Sequence, residues 1–279
     1  MKFEGVLFTY YEPKSLTAFE SGPLDSPNTC IFVAGLTEGY NAVPFLPPLQ
    51  SKLADIGWSL VQVQLTSSYN GFGTTNLQND SDELDHLIKY LKNERNKSKI
   101  LYLGHSTGSQ DGYWHNKYGK MSESVMGYIL QAPVSDRQVM EVEPEHAKYL
   151  EQAKKLREAN LGQELMPRAA CGDIPITADR FYSLGGAGGD DDVFSTDLTD
   201  ETIKRLYEGV NRPTAMVHVK DDECYVGKED QLELMKRFQS FCPAIRRTIV
   251  LEEGGHNVNA KVGQEQLCDF VVEFIRHIS

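Results

Sequence analysis

The sequence lacks the positive charge that binding to polyanions requires. Lys and Arg number 28 against 40 Asp and Glu, and the formal net charge of the 279 residues is −12 at pH 7. A surplus of negative charge repels phosphate backbones and anionic lipid headgroups. We therefore expect neither a nucleic acid nor a membrane surface among the partners of this chain.

The sequence also lacks long apolar runs and export signals. No window approaches the roughly 20 apolar residues of a membrane span. The first residues, MKFEGVLFTYYEP, include Glu4 within an apolar stretch and contain no small-residue cleavage site, unlike a secretory signal. The last four residues, RHIS, match neither a peroxisomal nor an endoplasmic reticulum retention signal. These absences predict a cytoplasmic protein.

Cysteine is scarce, and its positions show no pattern. The five cysteines are widely scattered and lack metal-ligand spacing, so we expect reduced thiols that mostly fill the core. The acidic triplet Asp190 to Asp192 has the charge to bind a hard cation, but no further ligands follow at the spacing of a cation-binding loop. The sequence therefore predicts no metal and no other cofactor.

Apolar runs of strand length alternate with helical patterns along the chain. This alternation is typical of the α/β class, in which helices flank a mostly parallel sheet. The six strands that it predicts are CIFVAG (30–35), WSLVQVQL (58–65), KILYLG (99–104), GYILQAP (127–133), TAMVHVK (214–220) and RTIVLEE (247–253). Before them, GVLFTYY and LTAFES predict an entry hairpin.

Apolar stripes at helical spacing occupy the segments between the strands. One stripe, at the offsets of a helix that lies on a sheet, consists of Leu84, Leu87, Ile88 and Leu91. The last segment repeats this spacing from Leu267 to Ile278. Pro47 and Pro48 suit the first turn of a further helix. These stripes predict packing faces rather than chemistry.

A long stretch from about residue 135 to 212 contains helical and loop-like sequence but no convincing strand. Such an insertion is typical of a cap over an active site. A chain of this length buries roughly 75% of the surface that it exposes when unfolded, which suits one large α/β domain. We therefore expect a single domain over residues 1–279 that contains the cap.

The stretch KILYLGHSTGSQD (99–111) contains the candidate nucleophile. Apolar strand residues end at Ser106, which has Gly104 two positions before it and Gly108 two positions after it. A nucleophilic serine projects from a tight strand-to-helix turn, where bulky side chains at these two positions would clash. The pattern GHSTG alone occurs by chance, but the strand before it and the helical sequence after it favour a nucleophile elbow.

A serine hydroxyl needs a base and an orienting acid, and in this architecture they follow it in the order acid, histidine. His256 stands in a glycine-flanked loop after the last predicted strand. Asp221, Asp222 and Glu223 follow the strand before it, and Asp222 is the preferred acid, with Asp221 and then Glu223 as alternatives. His218, within a strand, is interpreted as a core residue.

Acyl transfer also requires hydrogen-bond donors for the oxyanion. The amide of the residue after the nucleophile, Thr107, is one candidate. The other comes from the loop after the first parallel strand, AGLTEGYN, where Gly35 permits a sharp turn and the amide of Leu36 is the best candidate. A pocket for the substrate is expected from aromatic residues near the predicted mouth, although such residues are as often core: Tyr40, Phe45, Tyr69, Phe72 and Trp114.

Four strings of the sequence resemble a known family. They are SSYNGFGTTNL (67–77), GHSTGSQD (104–111), LQAPVSDR (130–137) and GGDDDVFSTDL (188–198). The chain resembles the α/β-hydrolases and, within them, the uncharacterised-domain group that contains the fungal siderophore esterases. The first and last strings are distinctive of that group, and the second is widespread.

The resemblance implies an α/β-hydrolase fold and a serine esterase whose triad positions match Ser106, Asp222 and His256. Characterised fungal members hydrolyse ester bonds in fusarinine-type siderophores, but membership does not fix the substrate. The acid loop, KDDECYVG, is one residue longer than the usual DEYVP pattern, which keeps Asp221 as an alternative.

The leading hypothesis is therefore a carboxylic ester hydrolase acting on a small-molecule ester. A peptidase, amidase or thioesterase would use the same triad. A hydrolase-fold protein that binds a ligand without turnover is a third hypothesis, although a binding module has no need for the base or the acid. The sequence does not predict an oligomeric state.

Overall fold

The protein is described by a computed structural model covering residues 1–279. Eight strands form one sheet in the order β1-β2-β4-β3-β5-β6-β7-β8. Their bounds are β1 Gly5–Tyr11, β2 Leu16–Ser21, β3 Asn28–Val33, β4 Ser59–Val63, β5 Lys99–His105, β6 Val125–Gln131, β7 Thr214–Val219 and β8 Ile245–Leu251.

The sheet is mostly parallel, as the alternating pattern predicts. Strands β3 to β8 pair in parallel, whereas β1 and β2 form an antiparallel hairpin whose second strand pairs antiparallel with β4. The α/β class, the six strands and the entry hairpin are thus confirmed. The strand bounds in the structure differ from the predicted bounds by one or two residues. Several predicted ends, such as Gly35, belong to the turns after the strands.

Nine helices connect and cover the strands. Their bounds are α1 Leu46–Asp55, α2 Leu77–Asn93, α3 Thr107–Tyr118, α4 Asp136–Glu141, α5 His146–Glu158, α6 Ala178–Gly185, α7 Asp200–Tyr207, α8 Gln231–Phe241 and α9 Lys261–Ile278. Apolar faces of α1 and α9 bury one side of the sheet, and those of α2 and α8 bury the other. The predicted stripe at 84–91 lies in the buried face of α2. No helix is both long and apolar enough to cross a membrane.

The insertion after β6 divides into two parts. Helices α4 to α6 enclose a third apolar cluster of their own, which includes Tyr149 and Phe181. Farther along, Phe194, Ile203 and Tyr207 pack into the main core. The first part, residues 136–185, is called the cap. The single domain over 1–279 and a cap that extends to residue 212 stay predictions. The five cysteines are free thiols, as expected.

Candidate active site

Ser106 occupies a sharp turn between β5 and α3. Its backbone angles are φ 54° and ψ −125°, which is a conformation that residues other than glycine rarely adopt. Such backbone strain costs about 1–3 kcal/mol and persists only where the surrounding structure imposes it. The strand before the turn and the helix after it hold the serine at the carboxyl edge of the parallel strands, where α/β sheets bind ligands.

Glycines make this turn possible by allowing close backbone contacts. A Cβ atom at Gly104 would lie 2.1 Å from the carbonyl oxygen of Gly108, and one at Gly108 would lie 2.4 Å from that of Val33. Gly35 in the neighbouring loop faces the serine itself, because a Cβ there would lie 2.8 Å from Ser106 Cβ. The structure therefore gives both flanking glycines the steric role that the sequence predicts.

The side chains of Ser106, His256 and Asp222 form one hydrogen-bonded chain. His256 Nε2 lies 2.8 Å from Ser106 Oγ, and His256 Nδ1 lies 3.0 Å from each carboxylate oxygen of Asp222. Asp222 and His256 are both buried. The loops after β5, β7 and β8 thus bring together three residues that are 150 positions apart along the chain at the widest.

The three consecutive acids after β7 have separate partners. Asp221 accepts hydrogen bonds from the amides of Gly254 and Gly255, at 2.9 and 3.0 Å. Glu223 accepts one from the amide of His256, at 2.8 Å. Asp222 contacts the imidazole and also accepts from the Cys224 amide. The two alternative acids therefore position the loop of His256 rather than its ring.

The charge around His256 favours its protonated form. Burial lowers the pKa of the imidazole, but the hydrogen bond and negative charge of Asp222, together with Glu223 and Glu38, outweigh burial and raise the pKa above its ordinary value. A raised pKa makes the ring a stronger proton acceptor from the serine hydroxyl. The ring is thus suited to act as a general base near neutral pH.

Two backbone amides beside Ser106 have no acceptor within the protein. Thr107 is the first residue of α3, where helix N–H groups lack an intrahelical partner. The Leu36 amide, in the loop after β3, also makes no hydrogen bond, whereas that of Gly35 donates to Glu38 Oε2 at 2.9 Å. Both predicted donors are therefore available for an oxyanion.

His105, which directly precedes Ser106, also packs against His256, a contact that the sequence does not reveal. The centroid of its ring lies 5.0 Å from that of His256, with the two ring planes tilted by 52°, and its two nitrogens contact Gln131 Oε1 and Asn257 Oδ1. Burial lowers the pKa of His105. These contacts connect the turn at Ser106 to the loop that carries His256, so His105 supports both loops without a hydrogen bond to Ser106 Oγ.

A buried cluster of charges fixes the cap beside the same loops. Arg180 of α6 donates to the carbonyl of Phe72 at 3.1 Å and to Asp191 at 2.6 Å. Asp80 of α2 and Asp111 of α3 face this guanidinium, and burial raises the pKa of both carboxyls. All of these side chains are buried. The cluster escapes sequence analysis because Asp80, Asp111 and the segment that contains both Arg180 and Asp191 are far apart along the chain.

Two members of the acidic triplet, Asp191 and Asp192, have structural partners. Asp191 binds Arg180, and Asp192 accepts from Arg137 at 2.9 Å and from the Gly188 amide.

The ligand-type atoms of Asp222, Cys224 and His256 lie within 4.8 Å of one another. Asp222 and His256 already bind each other there, and burial raises the pKa of Cys224 to about 11, so its thiol stays protonated. This donor set is therefore poorly suited to a metal.

An apolar cavity of about 580 Å³ lies between the loop after β3 and the cap. Leu36, Thr37 and Phe72 line it from the body of the protein, and α5 and α6 line it from the cap. Phe72 is the one predicted aromatic residue in this lining. Phe45 is core, Tyr40 hydrogen-bonds to Thr17, and the others lie outside the cavity: Tyr69 and Trp114.

The sheet order, the strained serine turn and the hydrogen-bonded side chains define the chain as an α/β-hydrolase fold protein. The sequence matches the family described as "Protein of unknown function (DUF1749)" over residues 1–276, and the chain belongs to that family. The family match thus covers nearly the whole chain.

Named relatives come from fungi. A UPF0613 protein of Schizosaccharomyces pombe is 30% identical over 85% of this chain and 83% of its own length. The fusarinine C esterase sidJ of Aspergillus fumigatus is 29% identical over 73% of this chain and 71% of its own length. The solved structure of the siderophore hydrolase EstB from Aspergillus fumigatus superimposes with a TM-score of 0.81, at 24% identity, covering 99% of this chain and 98% of that one. The superposition supports the α/β-hydrolase fold.

Proposed function

We propose that this protein is a serine hydrolase that cleaves carboxylic esters of small molecules through an acyl-enzyme intermediate. The observation that carries the proposal is the hydrogen-bonded chain from Ser106 Oγ through His256 to Asp222. Free amides at Leu36 and Thr107 beside the same hydroxyl support it. The esterase named among the relatives supports the choice of ester over other acyl substrates.

In the first half of the reaction, Ser106 Oγ forms a bond to the ester carbonyl carbon. His256 Nε2 accepts the hydroxyl proton, and Asp222 holds the Nδ1–H of the ring, so that Nε2 carries the lone pair. The carbonyl oxygen becomes an oxyanion that the amides of Leu36 and Thr107 stabilise; losing one such donor typically costs about 2.7–4 kcal/mol. When the oxyanion collapses, the alcohol leaves with the proton from His256.

In the second half, water replaces the alcohol. His256 removes a proton from the water, the resulting hydroxide bonds to the acyl carbon, and the same amides bind the second oxyanion. Collapse breaks the bond to Ser106 Oγ, which regains its proton from His256. The carboxylic acid product then leaves, and no metal or cofactor takes part in either half.

The substrate class follows from the relatives rather than from the triad. Esters of the siderophore type are the first candidates, because one relative is named a fusarinine C esterase. The proposed partner is accordingly a small-molecule ester, and neither nucleic acid nor membrane is proposed. The predicted single domain and its cap are part of this proposal, since the cap supplies one wall of the cavity beside the oxyanion loop.

Hydrolysis of p-nitrophenyl acetate tests the proposal. The protein should release p-nitrophenolate, and Ser106→Ala should reduce kcat by about 10⁴-fold or more because it removes the nucleophile. Ser240→Ala, at an exposed serine of α8, serves as the matched control and should retain full activity. A folded wild-type protein without turnover, or equal rates for Ser106→Ala and wild type, would refute catalysis and leave ligand binding as the function.

A further inference from the structure

Glu38 is an acidic residue beside Ser106 that the proposed triad does not include. It lies in the loop after β3, and its side chain is 21% exposed. Its Oε2 atom lies 3.2 Å from the point that a Cβ atom on Gly35 would occupy, and Ser106 Oγ lies 3.3 Å from the same point. A negative charge so close to the nucleophile disfavours an oxyanion there, so the position of Glu38 requires an explanation.

Glu38 forms two hydrogen bonds with Gly35, three positions earlier in the chain. The Glu38 N–H donates to the Gly35 carbonyl at 3.2 Å, and Glu38 Oε2 accepts from the Gly35 N–H at 2.9 Å. A glutamate side chain that returns to the backbone N–H three residues before it also occurs in capping boxes at helix N-termini. Residues 35–38 therefore form a turn that is closed through both the backbone and the side chain of Glu38.

This turn sets the direction of the Leu36 amide. The Gly35 carbonyl and the Leu36 N–H belong to one planar trans peptide group, in which they point in opposite directions. Because the carbonyl binds the Glu38 N–H, the Leu36 N–H points away from the turn. The Gly35 N–H is already bound by the carboxylate of Glu38. Of these two neighbouring amides, only that of Leu36 is free to bind an oxyanion.

The turn depends on such contacts because its backbone is strained. Thr37 has φ 65°, a left-handed conformation that is rare for a β-branched residue. Strain of this kind costs about 1–3 kcal/mol and persists only where surrounding contacts impose it. The Glu38 carbonyl accepts from the Tyr69 N–H at 2.9 Å, so the loop after β4 anchors the residue that closes the turn. Without the carboxylate, one backbone hydrogen bond of 3.2 Å would have to close the strained turn.

We infer that Glu38 is a positioning residue for the oxyanion hole: its carboxylate binds the Gly35 amide and thereby keeps the Leu36 amide directed at the oxyanion. Glu38 acts through the backbone of the turn, and it neither contacts the substrate nor transfers a proton. This inference rests on the proposed function, since it concerns the oxyanion of the same reaction.

The test compares two variants of equal charge and similar size, Glu38→Gln and Glu38→Met. Both remove the carboxylate charge, so its effects on the pKa of His256 and on the oxyanion are lost equally in both. The Gln side-chain oxygen can still accept from the Gly35 N–H, whereas the Met thioether is only a weak acceptor. A difference between the two variants therefore reports the hydrogen bond.

We expect kcat for p-nitrophenyl acetate to be about 10- to 100-fold lower in Glu38→Met than in Glu38→Gln, with KM changed by less than about twofold. Loss of an oxyanion donor typically reduces kcat by about 10²–10³-fold, and an interaction made only in the transition state lowers kcat and kcat/KM equally. The rates are measured on the high-pH plateau, where His256 is neutral in both variants. The Ki of trifluoroacetone, whose adduct with Ser106 carries an oxyanion, should rise in the same proportion.

Two further comparisons separate this effect from a general effect of the substitutions. Glu38→Ala also lacks the acceptor and should match Glu38→Met, so that a folding defect in one variant does not decide the result. Glu233→Gln and Glu233→Met, at an exposed glutamate of α8, form the control pair and should have equal kcat.

The outcomes distinguish this inference from the proposed function. If the wild type hydrolyses p-nitrophenyl acetate but Glu38→Gln and Glu38→Met have equal kcat and equal Ki, Glu38 does not position the Leu36 amide and the hydrolase proposal stands. A difference confined to KM would also contradict the inference. If the wild type does not hydrolyse the ester, both proposals fail.

Discussion

At the scale of single residues, Asp222 and Asp221 are adjacent but have different hydrogen-bond partners. Asp222 contacts the imidazole of His256, whereas Asp221 accepts hydrogen bonds from two backbone amides just before His256. We expect Asp222→Asn to reduce kcat by about 10³–10⁴-fold, because an amide at this position favours the wrong imidazole tautomer. Steady-state kinetics with p-nitrophenyl acetate measure the effect.

The matched variant Asp221→Asn should have a much smaller effect on kcat. Its side-chain oxygen still accepts from the amides of Gly254 and Gly255, so that the histidine loop keeps its conformation. A larger loss of kcat in Asp221→Asn than in Asp222→Asn would contradict the assignment of the triad acid.

The pH dependence of activity follows from the raised pKa of His256. The ring must be neutral to accept the serine proton, so kcat/KM should fall as the pH decreases through a pKa above the ordinary value of about 6.5. Glu223 contributes to the raised pKa through its charge and hydrogen-bonds to the His256 amide. Glu223→Gln should therefore move this acidic limb to lower pH, because it removes the charge while the amide contact persists.

Complete pH profiles of kcat/KM for both proteins test this expectation. A control at an exposed acid far from the site, Glu273→Gln, should leave the limb where it is in the wild type. An acidic limb that shifts to higher pH in Glu223→Gln would contradict the proposed electrostatics.

At the scale of elements, the cap is joined to the body through Arg180. The guanidinium is fully buried and faces four carboxyl groups, those of Asp80, Asp111, Asp136 and Asp191. Removal of one partner from a buried ion pair typically costs about 3–5 kcal/mol. We expect Arg180→Met to lower the free energy of unfolding by about this amount, measured by urea denaturation. Arg157→Met removes an exposed ion pair of the same cap and should change stability by less than about 1 kcal/mol.

A small effect of Arg180→Met, equal to that of Arg157→Met, would show that the cap is not held by this cluster. If Arg180→Met lowered kcat but left the free energy of unfolding unchanged, the conclusion would be the same. In that case the apolar cluster around Tyr149 and Phe181 would be the main contact between the cap helices and the body.

Elements of the fold were predictable where local sequence determines them. The strands and α2 follow from periodicity, and the turn at Ser106 follows from Gly104 and Gly108, since their Cβ atoms would overlap backbone. His256 was predictable because its loop must follow the last strand. Its distance to Ser106, however, depends on how three separate loops pack.

Long-range contacts were not predictable in the same way. Choosing among Asp221, Asp222 and Glu223 requires the direction of each side chain within one turn, which the order of residues does not encode. Arg180 lies near Asp80 and Asp111 only because the cap packs against the body of the protein. Aromatic residues near the site were ambiguous because core and cavity walls have the same composition, and of the five candidates only Phe72 lines the cavity.

At the scale of the whole molecule, stability should depend on the protonation of the buried carboxyls of Asp80 and Asp111. Burial raises the pKa of Asp80 to about 7 and that of Asp111 well above its usual range. The native state therefore keeps a proton that the unfolded chain releases near pH 4, so this pair stabilises the protein at low pH. Its contribution should be lost progressively as the pH rises from about 4 through 7.

Asp111→Asn tests this linkage, because the Asn amide has nearly the same shape as the carboxyl group but does not titrate. The free energy of unfolding of the wild type should decrease from pH 5 to pH 8 by more than that of Asp111→Asn, as measured by urea denaturation at each pH. Equal decreases in both proteins would show that the pair holds no proton in the native state. Asp269→Asn, at an exposed carboxylate of α9, controls for the general effect of removing one charge.

The proposed catalysis depends on Ser106 being a nucleophile. The most direct test is intact-protein mass spectrometry after treatment with a fluorophosphonate, followed by peptide mapping. We predict one adduct per chain, located on Ser106, and none on Ser106→Ala or on wild-type protein unfolded in urea. A folded wild-type protein that remains unlabelled, or an adduct of equal yield on Ser106→Ala, would contradict the proposed chemistry.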